Sequence, residues 1–304
     1  LKYTSVGVAQ TISGVSFKDD VSGTLTDVSG TLTNNADITL DNYNSHAFAT
    51  GLLVGNVNLG GVIANNGSIL VTATAGGDDI DARGWGMSLG DVSGAVSNDG
   101  SIAVTAKAMG SGKSGLNVAT YGIDVDDIAA NASVSNDGEI TVTATADGTA
   151  SSREINVTAN GMVAGIESDA VSGALSNSGS IAVNATAKGS GASGVSATAW
   201  GIDIDADLDP LGSLSNDGSI VVTATADGTA TSGAIYASAF GMEVLDVYGA
   251  VSNVGSIAVT ATADGTANST TMYVNAFGMK VDAVYGTLSN DGSIAVTAKA
   301  MGSG

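Results

Sequence analysis

Apolar and polar residues alternate over short segments that recur along the whole chain. In the stretch SILVTATA, for example, Ile69, Val71 and Ala73 are separated by the single residues Leu70 and Thr72. Residues two apart on a strand point to the same face, so this pattern predicts a strand with one face inward and one outward. The same alternation occurs in SIAVTAK, SIVVTATA, YGIDVDD and WGIDIDAD. No segment keeps a helical period, and the sequence therefore predicts an all-β fold.

The alternating segments belong to a tandem repeat built around the block Asn-x-Gly-x-Ile. The block occurs seven times, about 37 residues apart, and a degenerate copy, NNADI, begins at Asn34. Its glycines are Gly67, Gly100, Gly138, Gly179, Gly218, Gly255 and Gly292. A second landmark lies between successive blocks, as WGM, YGI, NGM, WGI or FGM. The sixteen residues SNDGSIAVTAKAMGSG occur identically at 97–112 and at 289–304.

This repeat predicts a parallel β-helix, or β-solenoid, of about seven repeats. The two landmarks divide each repeat into two portions, and we expect one rung from each, hence two rungs per repeat. About 14 rungs at about 4.8 Å each would give a rod of about 70 Å. Residues 1–33 are interpreted as degenerate N-terminal rungs and residues 34–304 as the tandem-repeat solenoid, which we expect to continue beyond the C terminus. A β-sandwich array and a propeller are the alternative folds.

Stacked repeats place equivalent residues in columns along the rod, where asparagine side chains can bond to one another. We expect an asparagine ladder of Asn98, Asn136, Asn177, Asn216, Asn253 and Asn290. We expect an inner aliphatic column of Ile102, Ile140, Ile181, Ile220, Ile257 and Ile294. A second inner column would contain Met87, Ile123, Met162, Ile202, Met242 and Met279. An aromatic column at a corner would contain Trp85, Tyr121, Trp200, Phe240 and Phe277, with a glycan-binding stripe as the alternative interpretation.

Composition and charge narrow the function classes. The formal charge of −21 repels nucleic-acid phosphates, so we expect no nucleic-acid partner. The chain has no cysteine, which excludes disulfides and cysteine chemistry. No run of 18 apolar residues occurs, so we expect no transmembrane helix. Glycine accounts for 43 residues and aromatic residues for 4 %, which indicates a thin core of small side chains.

The blocks NDGSIAVTA and NNGSILVTATA, with Thr/Ala/Val-rich strands and scarce cysteine, resemble bacterial autotransporter passengers and filamentous-haemagglutinin-like adhesins. The resemblance covers the chain from about Asn34 to the end. It implies a secreted, extracellular rod at a cell surface, with other copies of itself or host and cell-surface glycans or proteins as partners. A subunit of a self-assembled filament or sheath, and a β-helical enzyme acting on polysaccharides, are the alternatives.

Clusters of aspartates are the candidate metal sites. Ca²⁺ could bind where carboxylates alternate along a strand and turn carbonyls help. The candidate Ca²⁺ ligands are Asp124, Asp126, Asp127, Asp203, Asp205 and Asp207. Asp78, Asp79, Asp81 and Asp209 belong to the same clusters. The alternative is a solvated acidic face that keeps rods apart, and we expect no other cofactor.

The same repeats contain the candidate residues for catalysis and for partner binding. Asp203, Asp205 and Trp200 would be the catalytic candidates, but equivalent residues recur in several repeats, which favours a structural role and no enzyme. The Thr-x-Thr pairs are expected on an outer face, with ice binding as the alternative to strand propensity. The partner-contact loops are expected at 112–118, 148–154, 188–194, 227–233 and 264–271.

Overall fold

The computed structural model of the chain describes residues 10–12, 15–18, 24–44, 46–77, 80–112, 115–165, 170–267 and 271–303. Within these ranges every regular element is a β-strand. The strands are β1 (Gln10–Ile12), β2 (Val15–Lys18), β3 (Thr24–Val28), β4 (Thr31–Asn34), β5 (Asp37–Asn44), β6 (His46–Val57), β7 (Val62–Asn65), β8 (Ser68–Gly76), β9 (Ile80–Val92), β10 (Ala95–Asn98), β11 (Ser101–Gly112), β12 (Leu116–Ile128), β13 (Ser133–Asn136), β14 (Glu139–Ala150), β15 (Glu154–Ala164), β16 (Ala170–Val171), β17 (Ala174–Asn177), β18 (Ser180–Gly191), β19 (Gly194–Ile204), β20 (Asp207–Leu208), β21 (Ser213–Asn216), β22 (Ser219–Ala230), β23 (Ala234–Val247), β24 (Ala250–Asn253), β25 (Ser256–Ala267), β26 (Met272–Val284), β27 (Thr287–Asn290) and β28 (Ser293–Ser303).

The strands form three parallel sheets, and the chain visits each sheet once per turn. The first sheet has the order β1-β4-β7-β10-β13-β17-β21-β24-β27, and the second has the order β2-β5-β8-β11-β14-β18-β22-β25-β28. The third follows β3-β6-β9-β12-β15-β19-β23, with β26 pairing β23 and with β16 and β20 continuing the interrupted rungs. The all-β parallel β-solenoid predicted from the sequence is therefore confirmed.

The register shows that one repeat makes one turn, so the expectation of two rungs per repeat was wrong. Ile102 pairs directly with Ile140, and Ile140 pairs with Ile181, each one repeat further along the chain. The two portions of a repeat lie in different sheets of the same turn. The Asn-x-Gly-x-Ile repeats make about seven turns, which span about 35 Å rather than about 70 Å.

The expected partner-contact loops are shorter than the sequence suggested. β14 continues to Ala150 and β15 begins at Glu154, so only residues 151–153 connect the second sheet to the third in this turn. Residues 192–193 and 231–233 make the same connection in the next two turns. The ranges 148–150, 188–191 and 227–230 are strand. Parts of the first and last expected loops, at 113–114 and 268–270, lie outside the described residues.

The core lies inside the three sheets and is filled by the inward half of each alternation. Ile102, Ile140, Ile181, Ile220 and Ile257 are at most 1 % exposed and stack in one column. Ile294 continues this column on the last turn and is 38 % exposed, because no further turn covers it. The second column, from Met87 to Met279, pairs in register as well. Each fully buried side chain of this size stabilises the fold by about 1.5–3 kcal/mol.

The glycine of the second landmark is required by the packing of this core. A Cβ added at Gly161 would overlap the Gly201 carbonyl oxygen and the Ile181 Cγ2. The strand therefore approaches the opposite sheet through its backbone at this point. Asn160, before the glycine, points outward, and Met162, after it, points into the core. The landmark thus fixes which residue of each turn lies on the outer face of the third sheet.

Candidate functional site

An asparagine ladder runs along the turns that join the first sheet to the second. Each Nδ2 donates to the Oδ1 of the asparagine one turn further along, at 2.6–2.8 Å. The ladder contains the six expected residues, Asn98, Asn136, Asn177, Asn216, Asn253 and Asn290, preceded by Asn34 and Asn65. From Asn65 to Asn253 these side chains are at most 1 % exposed. Each buried side-chain amide thus finds its hydrogen-bond partner in the equivalent asparagine of an adjacent turn. The role of the ladder is structural.

The six candidate Ca²⁺ ligands do not come together. Asp124 and Asp203 occupy equivalent positions on the outer face of the third sheet, but Val163 lies between them in the intervening turn. The Asp207 carboxylate accepts a hydrogen bond from the Asp246 backbone N–H at 3.4 Å. In the part of the chain that the structure describes, no three His, Cys, Asp or Glu side chains form a group able to hold a metal ion. Their geometry therefore gives the expected Ca²⁺ site no support, and Asp78 and Asp79 lie outside the described residues.

The aromatic residues before the landmark glycine stack on the outer face of the third sheet. The Trp85 and Tyr121 rings lie 5.7 Å apart with an interplanar angle of 6°. The Trp200 and Phe240 rings lie 5.5 Å apart, and Phe240 and Phe277 lie 5.4 Å apart. The rings form two stacks, with a break between Tyr121 and Trp200.

Asn160 causes this break. It pairs in register with Tyr121 on one side and with Trp200 on the other, so it occupies the aromatic position of its turn. Three residues later, Val163 occupies the position that is acidic in both neighbouring turns. Asn160 is therefore smaller than the rings above and below it, and Val163 places an uncharged side chain between two aspartates.

The missing ring leaves a recess, which we call the Asn160 notch. It is a cavity of about 310 Å³, and its lining includes Tyr121, Asn160, Val163, Trp200, Asp203 and Glu243. The two rings that flank it are two turns apart, or about 9.6 Å at about 4.8 Å per turn. Asn160 and Val163 form its floor and are 5 % and 3 % exposed.

Indole N–H groups and one ion pair fix the carboxylates around the notch. Trp200 Nε1 donates to Glu243 Oε2 at 2.7 Å, and Trp85 makes the equivalent hydrogen bond to Asp124. Lys280 Nζ, one turn further along, forms an ion pair with Glu243. The rings and acidic side chains are thus held in position by their neighbours in adjacent turns.

Burial dominates the electrostatics of the two equivalent aspartates. It raises the pKa of Asp203 to about 7, with further contributions from the nearby carboxylates of Glu243 and Asp205. Burial also raises the pKa of Asp124 to about 7, and the Asp126 carboxylate adds to this shift. The pKa of Tyr121 is raised as well, by burial first and then by Asp124. A cation in this region would be stabilised by carboxylates that are otherwise costly to ionise.

Unpartnered polar atoms also mark this region. Two buried side-chain atoms in the described residues have no hydrogen-bond partner, Asn160 Oδ1 and Asp124 Oδ1. Asn160 lies at the floor of the notch, and Asp124 lies beside Val163 in the adjacent turn. A buried acceptor without a donor costs about 1–3 kcal/mol, so both atoms would gain from a donor.

Sequence reasoning found some residues of this site and missed the others. Trp200, Asp203 and Asp205, the catalytic candidates that the sequence offers, all line the notch. Asn160 and Val163 were not singled out, although NGM in place of an aromatic-Gly landmark is visible in the sequence. The Thr-x-Thr residues Thr143 and Thr145 do lie on the outward side of β14, half-buried.

A second cavity of about 310 Å³ lies at the other end of the same sheet. Its lining includes Asp81, Asn117, Arg153 and Asn156. Asn156 Nδ2 donates to Asn117 Oδ1 at 3.4 Å, and Asn117 Nδ2 donates to Asp81 Oδ1 at 3.2 Å. Asp81 also pairs with Arg83 at 3.0 Å. Since Asp81, Asn117 and Asn156 satisfy one another, this cavity offers fewer unpaired groups to a ligand than the Asn160 notch.

Comparison of the chain with family models, with curated proteins and with solved structures gives no match. The resemblance to autotransporter passengers and haemagglutinin-like adhesins therefore rests on the repeat pattern and on the solenoid fold. Among the described residues there is no helix of the length and hydrophobicity needed to cross a membrane. Function has to be argued from the fold and from the residues on its surface.

Proposed function

We propose that this chain is a structural and adhesive rod of a bacterial cell surface, which holds variable outer surfaces away from the cell. The unbroken asparagine ladder is the observation that carries the proposal. It keeps successive turns in one register from Asn34 to Asn290. A protein that adds one turn per repeat gains length without new kinds of contact.

The outer surface supports a presenting role. Inward positions repeat almost unchanged, whereas outward positions of the third sheet change between turns, as at Tyr121, Asn160 and Trp200. The short connections at 151–153 and 231–233 also differ in sequence and carry exposed residues. The formal charge of −21 keeps such rods apart in solution through mutual repulsion. We propose a non-catalytic role, because the aspartate considered for catalysis recurs at an equivalent position of another turn, as Asp203 and Asp124 do.

The mechanical part of this proposal is tested by lengthening the chain. Duplication of residues 97–288, five repeats, should increase the maximum dimension measured by small-angle X-ray scattering by about 24 Å, at about 4.8 Å per turn. A smaller or irregular increase would contradict a rod that grows by repetition. Negative-stain microscopy of the same samples separates discrete rods from continuous fibres, and fibres would favour the filament or sheath instead.

The location is tested separately. Antibodies against the purified chain should label intact source cells as strongly as permeabilised cells. A periplasmic or cytoplasmic marker, stained in parallel, should be labelled only after permeabilisation. If the chain behaves like that marker, the cell-surface location is wrong, whatever the shape of the rod.

A further inference from the structure

We propose that the Asn160 notch binds a guanidinium group, presented by an arginine side chain of a partner protein or peptide. The inference concerns a site on one face of the third sheet and goes beyond the role of the rod. It follows from the spacing of two aromatic rings, from an unpartnered buried acceptor and from the charge of the lining.

The ring spacing leaves room for one planar group. Rings in adjacent turns of this column stack at 5.4–5.7 Å between centroids. Tyr121 and Trp200 are two turns apart, and Asn160 contributes no ring between them. A planar group placed at the missing position would have an aromatic face on each side at an ordinary stacking distance. The space between the two rings therefore favours a planar ligand group.

The polar groups of the notch are hydrogen-bond acceptors, so they favour a ligand that carries donors. Asn160 Oδ1 is an acceptor without a partner on a side chain that is 5 % exposed. The notch lining also includes the carboxylates of Asp203 and Asp205. The third carboxylate of the lining, Glu243, already accepts from Trp200 and pairs with Lys280. Carboxylate oxygens are acceptors when ionised, so a ligand with several donors would satisfy both the amide and the acidic groups.

A guanidinium group combines these properties. It is planar, always charged, and carries five N–H donors in its plane, while its faces stack on aromatic rings. Between Tyr121 and Trp200 its edge would reach Asn160 Oδ1 and the Asp203 carboxylate. An ammonium group has the charge but not the plane, and a sugar ring stacks but brings no charge to the acidic lining.

The size of the notch restricts the ligand to about one side chain. A volume of about 310 Å³ is at the lower end of the range of ligand pockets, about 300–1,000 Å³. Adhesion of a whole partner would then come from repeated weak contacts, of which this one supplies the specificity for arginine. A single side chain is expected to bind at millimolar concentration, since few atoms contribute.

The proposal is tested by titrating the purified chain with Nα-acetyl-arginine amide while recording amide NMR spectra. The neutral, nearly isosteric citrulline derivative, the lysine derivative and methyl glucoside are the comparison ligands. We expect saturable shifts around Asn160 with the arginine probe and at least tenfold weaker binding of the other three. Equal binding of arginine and citrulline would overturn the role of charge, and tighter binding of the glucoside would make the notch a sugar site.

Three variants connect the binding to the notch. Asn160→Phe restores the missing ring, so it should abolish binding while the melting temperature stays the same or rises. Asp203→Asn removes a carboxylate and should weaken binding about tenfold without filling the space. Tyr236→Ala removes an exposed ring that stacks on Tyr273 elsewhere on the same sheet, and it should leave the affinity unchanged. Unchanged binding by Asn160→Phe or by Asp203→Asn would refute the proposed site.

Discussion

Each inner asparagine of the ladder is hydrogen-bonded to two others, so replacing one of them should measurably lower the stability of the fold. Asn177 is 1 % exposed; its Oδ1 accepts from Asn136 Nδ2 at 2.8 Å, and its Nδ2 donates to Asn216 Oδ1 at 2.7 Å. The change Asn177→Ala removes both hydrogen bonds. It leaves Asn216 Oδ1 without this donor in a buried position.

The magnitude follows from these contacts. Two lost hydrogen bonds contribute about 1 kcal/mol each, and a buried acceptor left unpaired adds about 1–3 kcal/mol. The free energy of unfolding should therefore fall by about 3–5 kcal/mol. Asn136 keeps weaker contacts to the Gly138 and Ser180 carbonyl oxygens at 3.4 Å, which places the expected loss towards the lower end of this range.

Urea unfolding followed by circular dichroism measures the loss, and hydrogen exchange locates it. Because turns interact mainly with their nearest neighbours, faster exchange should concentrate in the strands on either side of Asn177. The matched control is Asn184→Ala, an exposed asparagine in the same turn, which should change stability by no more than about 0.5 kcal/mol. If Asn177→Ala costs less than about 1 kcal/mol, the ladder does not stabilise the fold as argued.

Two further changes test the core and the buried carboxylate. Gly161→Ala should lower the free energy of unfolding by about 1–3 kcal/mol, because the added Cβ would overlap the Gly201 carbonyl oxygen and the Ile181 side chain. Gly76→Ala is the control and should cost less, because its added Cβ would lie 3.5 Å from the nearest atom. Equal effects of the two changes would contradict the close approach at Gly161. Burial raises the pKa of Asp203 to about 7 from its ordinary value of 3.8, so the folded protein favours the protonated form. Stability should thus be full below about pH 4 and fall as the pH rises through 7. Asp203→Asn should reduce that fall by on the order of 2 kcal/mol between pH 5 and pH 8, after allowance for solvent screening. Asp205→Asn removes only one of the smaller contributions to the same shift, so it should reduce the fall by less.

Local pattern was enough to predict the fold class, because alternation and repetition act at every turn. The Asn-x-Gly-x-Ile block placed the asparagine and isoleucine columns correctly, since Asn98 pairs with Asn136 and Ile102 with Ile140. These positions repeat because each must match its own copy one turn away. A residue that packs against the equivalent residue of the next repeat produces a regular pattern that can be recognised in a single sequence.

The number of rungs was not predictable in the same way. Two landmarks per repeat look like two turns when strand lengths are unknown. β11 runs through Met109 and Gly110 to Gly112, a stretch that reads as a loop because it is rich in glycine and serine. Parallel pairing with β14 holds these residues in the sheet, so register with a neighbour overrides their weak intrinsic preference.

The notch was missed for a related reason. The sequence shows NGM at Asn160 as one more variant of the landmark, and Val163 looks like an ordinary strand residue. Only the register reveals that both occupy positions where the neighbouring turns carry an aromatic ring and a carboxylate. The register also separates the two groups of candidate Ca²⁺ ligands, because Val163 lies between Asp124 and Asp203.

In a solenoid the constraints on inward and outward residues differ, and this difference says where to look for function. An inward substitution disturbs the turns above and below, so inward positions remain uniform. An outward substitution costs little stability unless it breaks a stack, and Asn160 breaks one while leaving a buried amide oxygen without a partner. A phenylalanine at this position would continue the aromatic column and remove the unsatisfied acceptor. Asn160 is therefore less favourable for stability than an aromatic residue would be. Residues that reduce stability are expected at functional sites, where binding offsets their cost. A ligand between Tyr121 and Trp200 would offset the cost of Asn160 in this way.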